Sequence, residues 1–399
     1  MSSILRLSGV SKRFGALLAV DNLSMHLNDG EALGVIGPNG SGKTTVFNIL
    51  SGITKADQGE VFFQGTDITH LRAFERCRRG IARSFQIPRP FAGMSVFENL
   101  LVGAAFGDGK PERLVYNQCV QVLEETGSLP PADIEQKTIE QDGLAVSLTI
   151  VRPINLKERG PAFLFFYGGG FVLGDFVTHE RLVRDLVSDS EITAIFVNYT
   201  RSPEARYPTA INEAYAATKW VAANGDEINV DGKRLALVGN SAGATIAAVT
   251  ALKCKLEGGP ALKGQLLFCP MTDANFETSS YNEYAEGYLI TKNMMKWFWD
   301  NHVPDLAQRR EVYASPLQAG IEELKGLPPA HIQVAGNDVL RDEGVAYARK
   351  LDAAEVEVTL VRYDSMIHDY CCFNHLSRVP AVCSALHQAA EELKRYLEE

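Results

Sequence analysis

At 399 residues the chain is long enough for two to three domains at about 150 residues each. With 46% hydrophobic and 22% charged residues, 34 Gly and 17 Pro, its composition excludes collagen-like, low-complexity and wholly disordered chains. A net charge of −10 argues against general nucleic-acid binding, which needs a basic face to displace counterions, and suits small-molecule partners.

The charge is unevenly spread. Residues 1–110 carry 12 basic against 9 acidic side chains and the remainder 27 against 40, so a change of domain is expected near Lys110. Seven cysteines with no CxxC pair spell neither a zinc site nor a disulfide framework. The first residues lack a signal-peptide pattern and no apolar run reaches the roughly 18 residues of a membrane span, so a cytoplasmic location and no direct membrane span are expected.

In chain order, residues 4–10 alternate as a half-exposed strand, and residues 32–36 form a short apolar run, a buried strand closed by Gly37-Pro38. From Thr44 to Ser51 the apolar residues Val46, Ile49 and Leu50 read as a helix stopped at Gly52. Between strand and helix, residues 37–44 (GPNGSGKT) fit G-x-x-x-x-G-K-[ST] in the setting a phosphate loop requires. Gly37, Asn39, Gly40 and Gly42 let successive amides face a polyphosphate, and Lys43 reaches its outer oxygens. Thr44, followed by Thr45, can hold Mg²⁺ once nucleotide is bound.

The first 106 residues resemble the ATP-binding subunit of ABC transporters of the branched-chain amino-acid type, on residues 10–15 (VSKRFG), 37–45, 82–86 (ARSFQ) and 94–103 (MSVFENLLVG). The resemblance implies that Phe14 stacks on adenine and that Gln86 senses Mg²⁺ and the γ-phosphate. Taken alone, Phe14 reads equally as a core aromatic and Gln86 as a solvated loop amide. That family continues with an LSGGQ-type signature, an apolar strand ending in Asp-Glu and a switch histidine, and no segment after Lys110 supplies them. Mg²⁺ then lacks its second anchor and the attacking water its base. A partial nucleotide-binding domain that holds ATP-Mg without sustained hydrolysis is the expectation, with apolar surface that something else must cover.

The turn formers at 106–111 mark a junction, and 112–126 read as an amphipathic helix. Beyond it, strands at 144–151, 162–167, 193–198, 235–239, 265–269, 330–335 and 357–363 alternate with helices at 178–189, 211–224, 242–256, 342–353 and 379–397. Such alternation implies a mostly parallel sheet with helices on both faces. The expected domains are 1–106, a linker with a residual cap helix over 107–136, and 137–399.

Strand 235–239 runs into Gly239-Asn240-Ser241-Ala242-Gly243 and then a helix, the strand–elbow–helix setting of G-x-S-x-G. A nucleophilic serine also needs a base, an orienting acid and oxyanion donors. Asp338 follows strand 330–335, with Asp342 a competing choice, and His368 follows strand 357–363. Ser241…Asp338…His368 is the α/β-hydrolase order. The Gly168-Gly169-Gly170 run after strand 162–167 offers the amides of Gly168 and Gly169 beside that of Ala242.

Residues from about 130 to 399 resemble the hormone-sensitive-lipase family of α/β-hydrolase esterases, on residues 167–174 (YGGGFVLG), 199–204 (YTRSPE), 239–244, 338–344 (DVLRDEG) and 366–370 (MIHDY). The resemblance implies Asp338 as the acid. It also implies a cap whose insertion at 275–315 carries Tyr281, Tyr284, Tyr288, Met294, Met295, Trp297, Phe298 and Trp299. The family has His, Asp and Gly where this chain has Tyr167, Asn240 and Asp369; none of the three carries the chemistry, but Tyr167 and Asp369 affect loop packing and the His368 pKa. The expected function is a cofactor-independent serine carboxylesterase for small short-chain esters, fused to an incomplete ATP-binding segment. A homo-oligomer is allowed, and the competing reading is an ATP-binding component of an amino-acid transporter.

Overall fold

The computed structural model describes residues 3–15, 17–28, 31, 33, 41–77, 79–81 and 129–398 except 155 and 157. The chain divides into two compact units. The expected strand 32–36 apart from Leu33, the loop residues Gly37, Asn39 and Gly40, the residue Gln86, the junction 106–111 and the helix 112–126 lie outside the described residues.

The first unit is an antiparallel sheet of β1 (Ser3–Phe14), β2 (Leu17–Asn28), β3 (Gln58–Phe63) and β4 (Thr66–Asp67) in the order β2-β1-β3-β4. Leu7 and Val10 are three apart, which in an unbroken strand would put them on opposite faces, yet both are buried. The register shifts between them, and Gly9 there adopts φ 60°, so a bulge returns Val10 to the core side. Helix Lys43–Leu50 contributes Val46 and Ile49 to a small core completed by Leu7, Val10, Val20, Val61 and Ile68. Buried Arg76 donates to the carbonyls of Ile49, Leu50, Thr69 and Leu71, supplying partners that the helix C-terminus lacks internally.

The second unit is built on eight strands: β5 (Ala132–Gln141), β6 (Leu144–Pro153), β7 (Gly160–Phe166), β8 (Thr193–Asn198), β9 (Val230–Asn240), β10 (Gly264–Phe268), β11 (Ala330–Asn337) and β12 (Val358–Ile367). Their order is β12-β11-β10-β9-β7-β8-β6-β5; the six from β12 to β8 are parallel and β6 and β5 antiparallel. Residues 162–166, 235–238 and 264–268 are wholly buried, as apolar parallel strands covered on both faces must be. The sheet starts at Ala132, inside the stretch expected as linker. β5 is a polar edge strand that buries only Ile139, turned back onto β6 through Asp142-Gly143, both at positive φ, a hairpin dipeptide.

Helices Phe176–Ser190, Thr209–Asn224, Ala242–Leu256, Arg341–Ala353 and Pro380–Glu398 follow the expected alternation. The insertion after β10 carries helices Ser279–Glu283 and Lys292–His302. Tyr281, Tyr284, Met294, Met295, Phe298 and Trp299 are buried there, whereas Tyr288 and Trp297 keep more than a third of their surface exposed. Among the described residues no helix is long and apolar enough to cross a membrane.

Candidate active site

Parallel strands place their C-terminal ends along one edge, and the loops there bring together residues far apart in sequence. β9 ends in the elbow. Ser241, at φ 52° and ψ −122°, occupies backbone space that L-residues seldom enter, and it begins helix Ala242–Leu256. The flanking glycines are required by contact: a Cβ on Gly239 would meet the Gly243 carbonyl oxygen at 2.2 Å, and one on Gly243 the Phe166 carbonyl oxygen at 2.0 Å.

Ser241 Oγ lies 2.9 Å from His368 Nε2, and His368 Nδ1 lies 2.7 Å from Asp338 Oδ2. Asp338 Oδ1 in turn accepts from the Leu340 amide at 2.9 Å. All three side chains are at least nine-tenths buried. With Nδ1–H donated to the carboxylate, Nε2 is left to accept the serine proton. Asp342, the competing acid, is committed elsewhere: it accepts from the Ser280 amide at 2.8 Å and from Arg341 Nε at 2.9 Å. Burial alone would lower the His368 pKa. The Asp338 and Asp369 carboxylates outweigh it, helped by hydrogen bonds to Asp338 and Cys269, and the group lies well above the ordinary imidazole value. Burial pushes the Cys269 thiol up to about 12, so it stays neutral beside the histidine.

The glycine run corrects one expectation. The Gly168 amide donates to Asn240 Oδ1 at 3.0 Å and to His179 Nε2 at 3.2 Å, so it points into the protein. Among the described residues the amides of Gly169, Gly170 and Ala242 have no acceptor, which leaves these three available as oxyanion-type donors. Sequence reasoning missed Gly170; Asn240, adjacent to the nucleophile, was the available signal, because its side-chain oxygen needed a donor. Tyr167 anchors the run. Its hydroxyl donates to the Tyr199 carbonyl at 3.0 Å, the Tyr199 hydroxyl donates back to the Tyr167 carbonyl at 2.9 Å, and the rings stack at 4.1 Å. A Cβ on Gly170 would sit 2.2 Å from Phe298 Cγ, so the insertion packs directly on this loop.

An elbow serine hydrogen-bonded to a buried His–Asp pair, with free amides alongside, can attack a carbonyl carbon and stabilise the oxyanion that results. Residues 163–372 match the family described as alpha/beta hydrolase fold. The chain belongs to that family. Within this alpha/beta hydrolase chain, 271 residues are 35% identical to carboxylesterase NlhH of Mycobacterium tuberculosis, covering 67% of this chain and 84% of that protein. Another 33% match over 235 residues is to an ethyl acetate hydrolase of Pseudomonas putida, 58% of this chain and 73% of that one. A thermostable esterase of Pseudomonas putida ECU1011 superposes with a TM-score of 0.70 at 52% identity, over 77% of this chain and 99% of that chain.

Residues 20–149 also match the family described as ABC transporter. The structure divides that match: 132–141 and 144–149 lie in β5 and β6 of the hydrolase sheet. In the first unit Gly42 holds φ 87°, and a Cβ there would sit 2.1 Å from the Ala19 carbonyl oxygen, so only glycine fits before the helix. Lys43 Nζ donates to Ser41 Oγ at 3.3 Å, and Thr44 is exposed at the helix start. This half of the loop fits a phosphate group. Phe14 is half exposed under Lys12, whose Nζ lies 5.5 Å from the ring centroid, which removes the reading of Phe14 as a core aromatic.

Proposed function

We propose that the protein is a serine carboxylesterase acting on short-chain carboxylic esters. The observation that carries this reading is the continuous Ser241–His368–Asp338 chain at 2.9 and 2.7 Å, with the amides of Gly169, Gly170 and Ala242 lacking an acceptor among the described residues. The relatives named carboxylesterase and ethyl acetate hydrolase support it.

Ser241 Oγ attacks the ester carbonyl while His368 Nε2 takes its proton, and Asp338 holds the imidazole and stabilises its charged form. The amides of Gly169, Gly170 and Ala242 receive the developing oxyanion. Collapse breaks the bond to the alkoxide, which takes the proton from His368, leaving Ser241 acylated. Water then gives its proton to His368 as it attacks, and the acid departs with the serine restored. Hydrolysis of p-nitrophenyl acetate by the full chain tests this. Wild type is expected to turn over and Ser241→Ala to lose about 10⁶-fold in kcat; full activity in Ser241→Ala would end the assignment.

For the first unit we propose ATP-Mg binding without sustained hydrolysis, supported by the glycine-only geometry at Gly42 before Lys43 and Thr44. Lys43 would meet the outer phosphates and Thr44 the Mg²⁺, with Phe14 against the base; bound ATP-Mg would supply a transferable phosphoryl group, for which the sequence offers no base. Titration of the full chain with a fluorescent ATP analogue is expected to saturate, and Lys43→Ala to weaken it. ATP turnover at about 1 s⁻¹ or faster would contradict the reading.

A further inference from the structure

Two departures from the family pattern, Asn240 and Asp369, meet in space although 129 residues separate them. Asn240 Nδ2 donates to Asp369 Oδ1 at 2.9 Å, while its Oδ1 accepts from the Gly168 amide at 3.0 Å. Only an amide can serve both contacts, because a carboxylate at 240 has no donor for Asp369. The other oxygen, Asp369 Oδ2, lies 3.6 Å from His368 Nε2, the atom that exchanges protons with Ser241. Asp369 stands at φ 53°, where aspartate, asparagine and glycine are the tolerated residues.

We propose that Asp369 is a second carboxylate acting on the proton-transfer nitrogen of His368, a positioning residue held in place by Asn240. This rests on the carboxylesterase reading. Asp338 grips Nδ1 and Asp369 faces Nε2, so the imidazolium formed during acyl transfer is flanked by negative charge at both nitrogens. Asn240 couples that second charge to the loop carrying Gly169 and Gly170, because the same amide holds Gly168. Other titratable groups face this pair. Cys269 presents a neutral thiol to His368 from the end of β10. His179, wholly buried on helix Phe176–Ser190 with its pKa lowered by that burial, faces Asn240 and Asp369 as a neutral ring. Cys372 Sγ lies 3.4 Å from Asn240 Nδ2, its thiol also pushed up by its contact with Cys371 and by burial. Among the described residues Asp369 is the carboxylate, besides Asp338, that lies against His368.

The test is the pH profile of kcat/KM on p-nitrophenyl acetate for full-length wild type, Asp369→Asn, Asp369→Gly, Asn240→Asp and the double variant Asn240→Asp/Asp369→Asn. Both Asp369 variants are expected to fold, since their residues accept the left-handed backbone. They should move the acid limb down by about one pH unit, a tenfold change in proton affinity, with a plateau lowered about tenfold. Asn240→Asp sets two carboxylates against each other and should lose at least about tenfold. The double variant exchanges donor and acceptor, so it should recover the plateau relative to Asn240→Asp while keeping the low acid limb. A purely structural pair would restore both together. An acid limb unmoved in both Asp369 variants, with Ser241→Ala inactive, overturns the proposal and leaves the esterase reading intact; ester hydrolysis that survives Ser241→Ala overturns the esterase reading itself.

Discussion

The two units carry motifs of similar clarity on cores that, among the described residues, differ greatly in size. In the first, the described residues bury seven apolar side chains, and Phe14, Leu17, Phe47, Ile53 and Phe74 stay exposed by two-fifths or more. In the second, one continuous core runs from Ile139 to Leu397. A phosphate loop is a local device: glycines, a lysine and the helix that follows it. A serine hydrolase site is assembled from the ends of β7, β9, β11 and β12, so it exists only where the whole sheet does. The difference teaches that a strong local motif certifies its own few residues, whereas a constellation collected from four strands certifies a domain.

The sharpest way to break this contrast is at the acid. Asp338→Asn should lower kcat by about 10⁴-fold, because the imidazole loses the partner that fixes its tautomer, whereas Asp342→Asn should stay within about tenfold of wild type. Equal losses, measured on the same ester, would put the acid elsewhere. Next in size is the oxyanion loop. Gly170→Ala forces a methyl into the Phe298 ring and an L-residue into φ 61°, and kcat should fall by about 10²–10³-fold, the scale of one lost oxyanion donor. Retention of wild-type kcat would return the donor role to Gly168.

The pH dependence has a definite sign. His368 must be neutral to accept the serine proton, and its pKa is raised, so activity should climb with pH through a limb above 6.5; a limb at or below that value would show the flanking carboxylates to be ineffective. The smallest effect separates the units. Arg76→Ala strips donors from four carbonyls and should loosen the 43–50 helix by about 3 kcal/mol, seen as faster amide hydrogen exchange there. Ester kcat/KM should not change, and a parallel loss of activity would mean the units depend on each other.

Much of the second unit was legible because buried parallel strands are short apolar runs between helices, and residues 162–166 and 235–238 carry no polar interruption. The order Ser241, Asp338, His368 needed only the chain direction of a known topology. β5 was not legible, since an edge strand that buries only Ile139 reads as linker. Nor was the choice among the glycines, which depends on where Gly168 finds its acceptor. The Asn240–Asp369 contact lay furthest from view: each departure was visible alone, but their pairing is a property of two loops meeting at the sheet edge.

The central claim is that Ser241 is the nucleophile of this chain, and covalent labelling tests it most directly. Incubation of the full-length protein with a fluorophosphonate, followed by peptide mass spectrometry, should find one label per chain, on Ser241, accumulating in step with the loss of p-nitrophenyl acetate hydrolysis. Complete inactivation with Ser241 unmodified, or full labelling of Ser241 with hydrolysis undiminished, would contradict it.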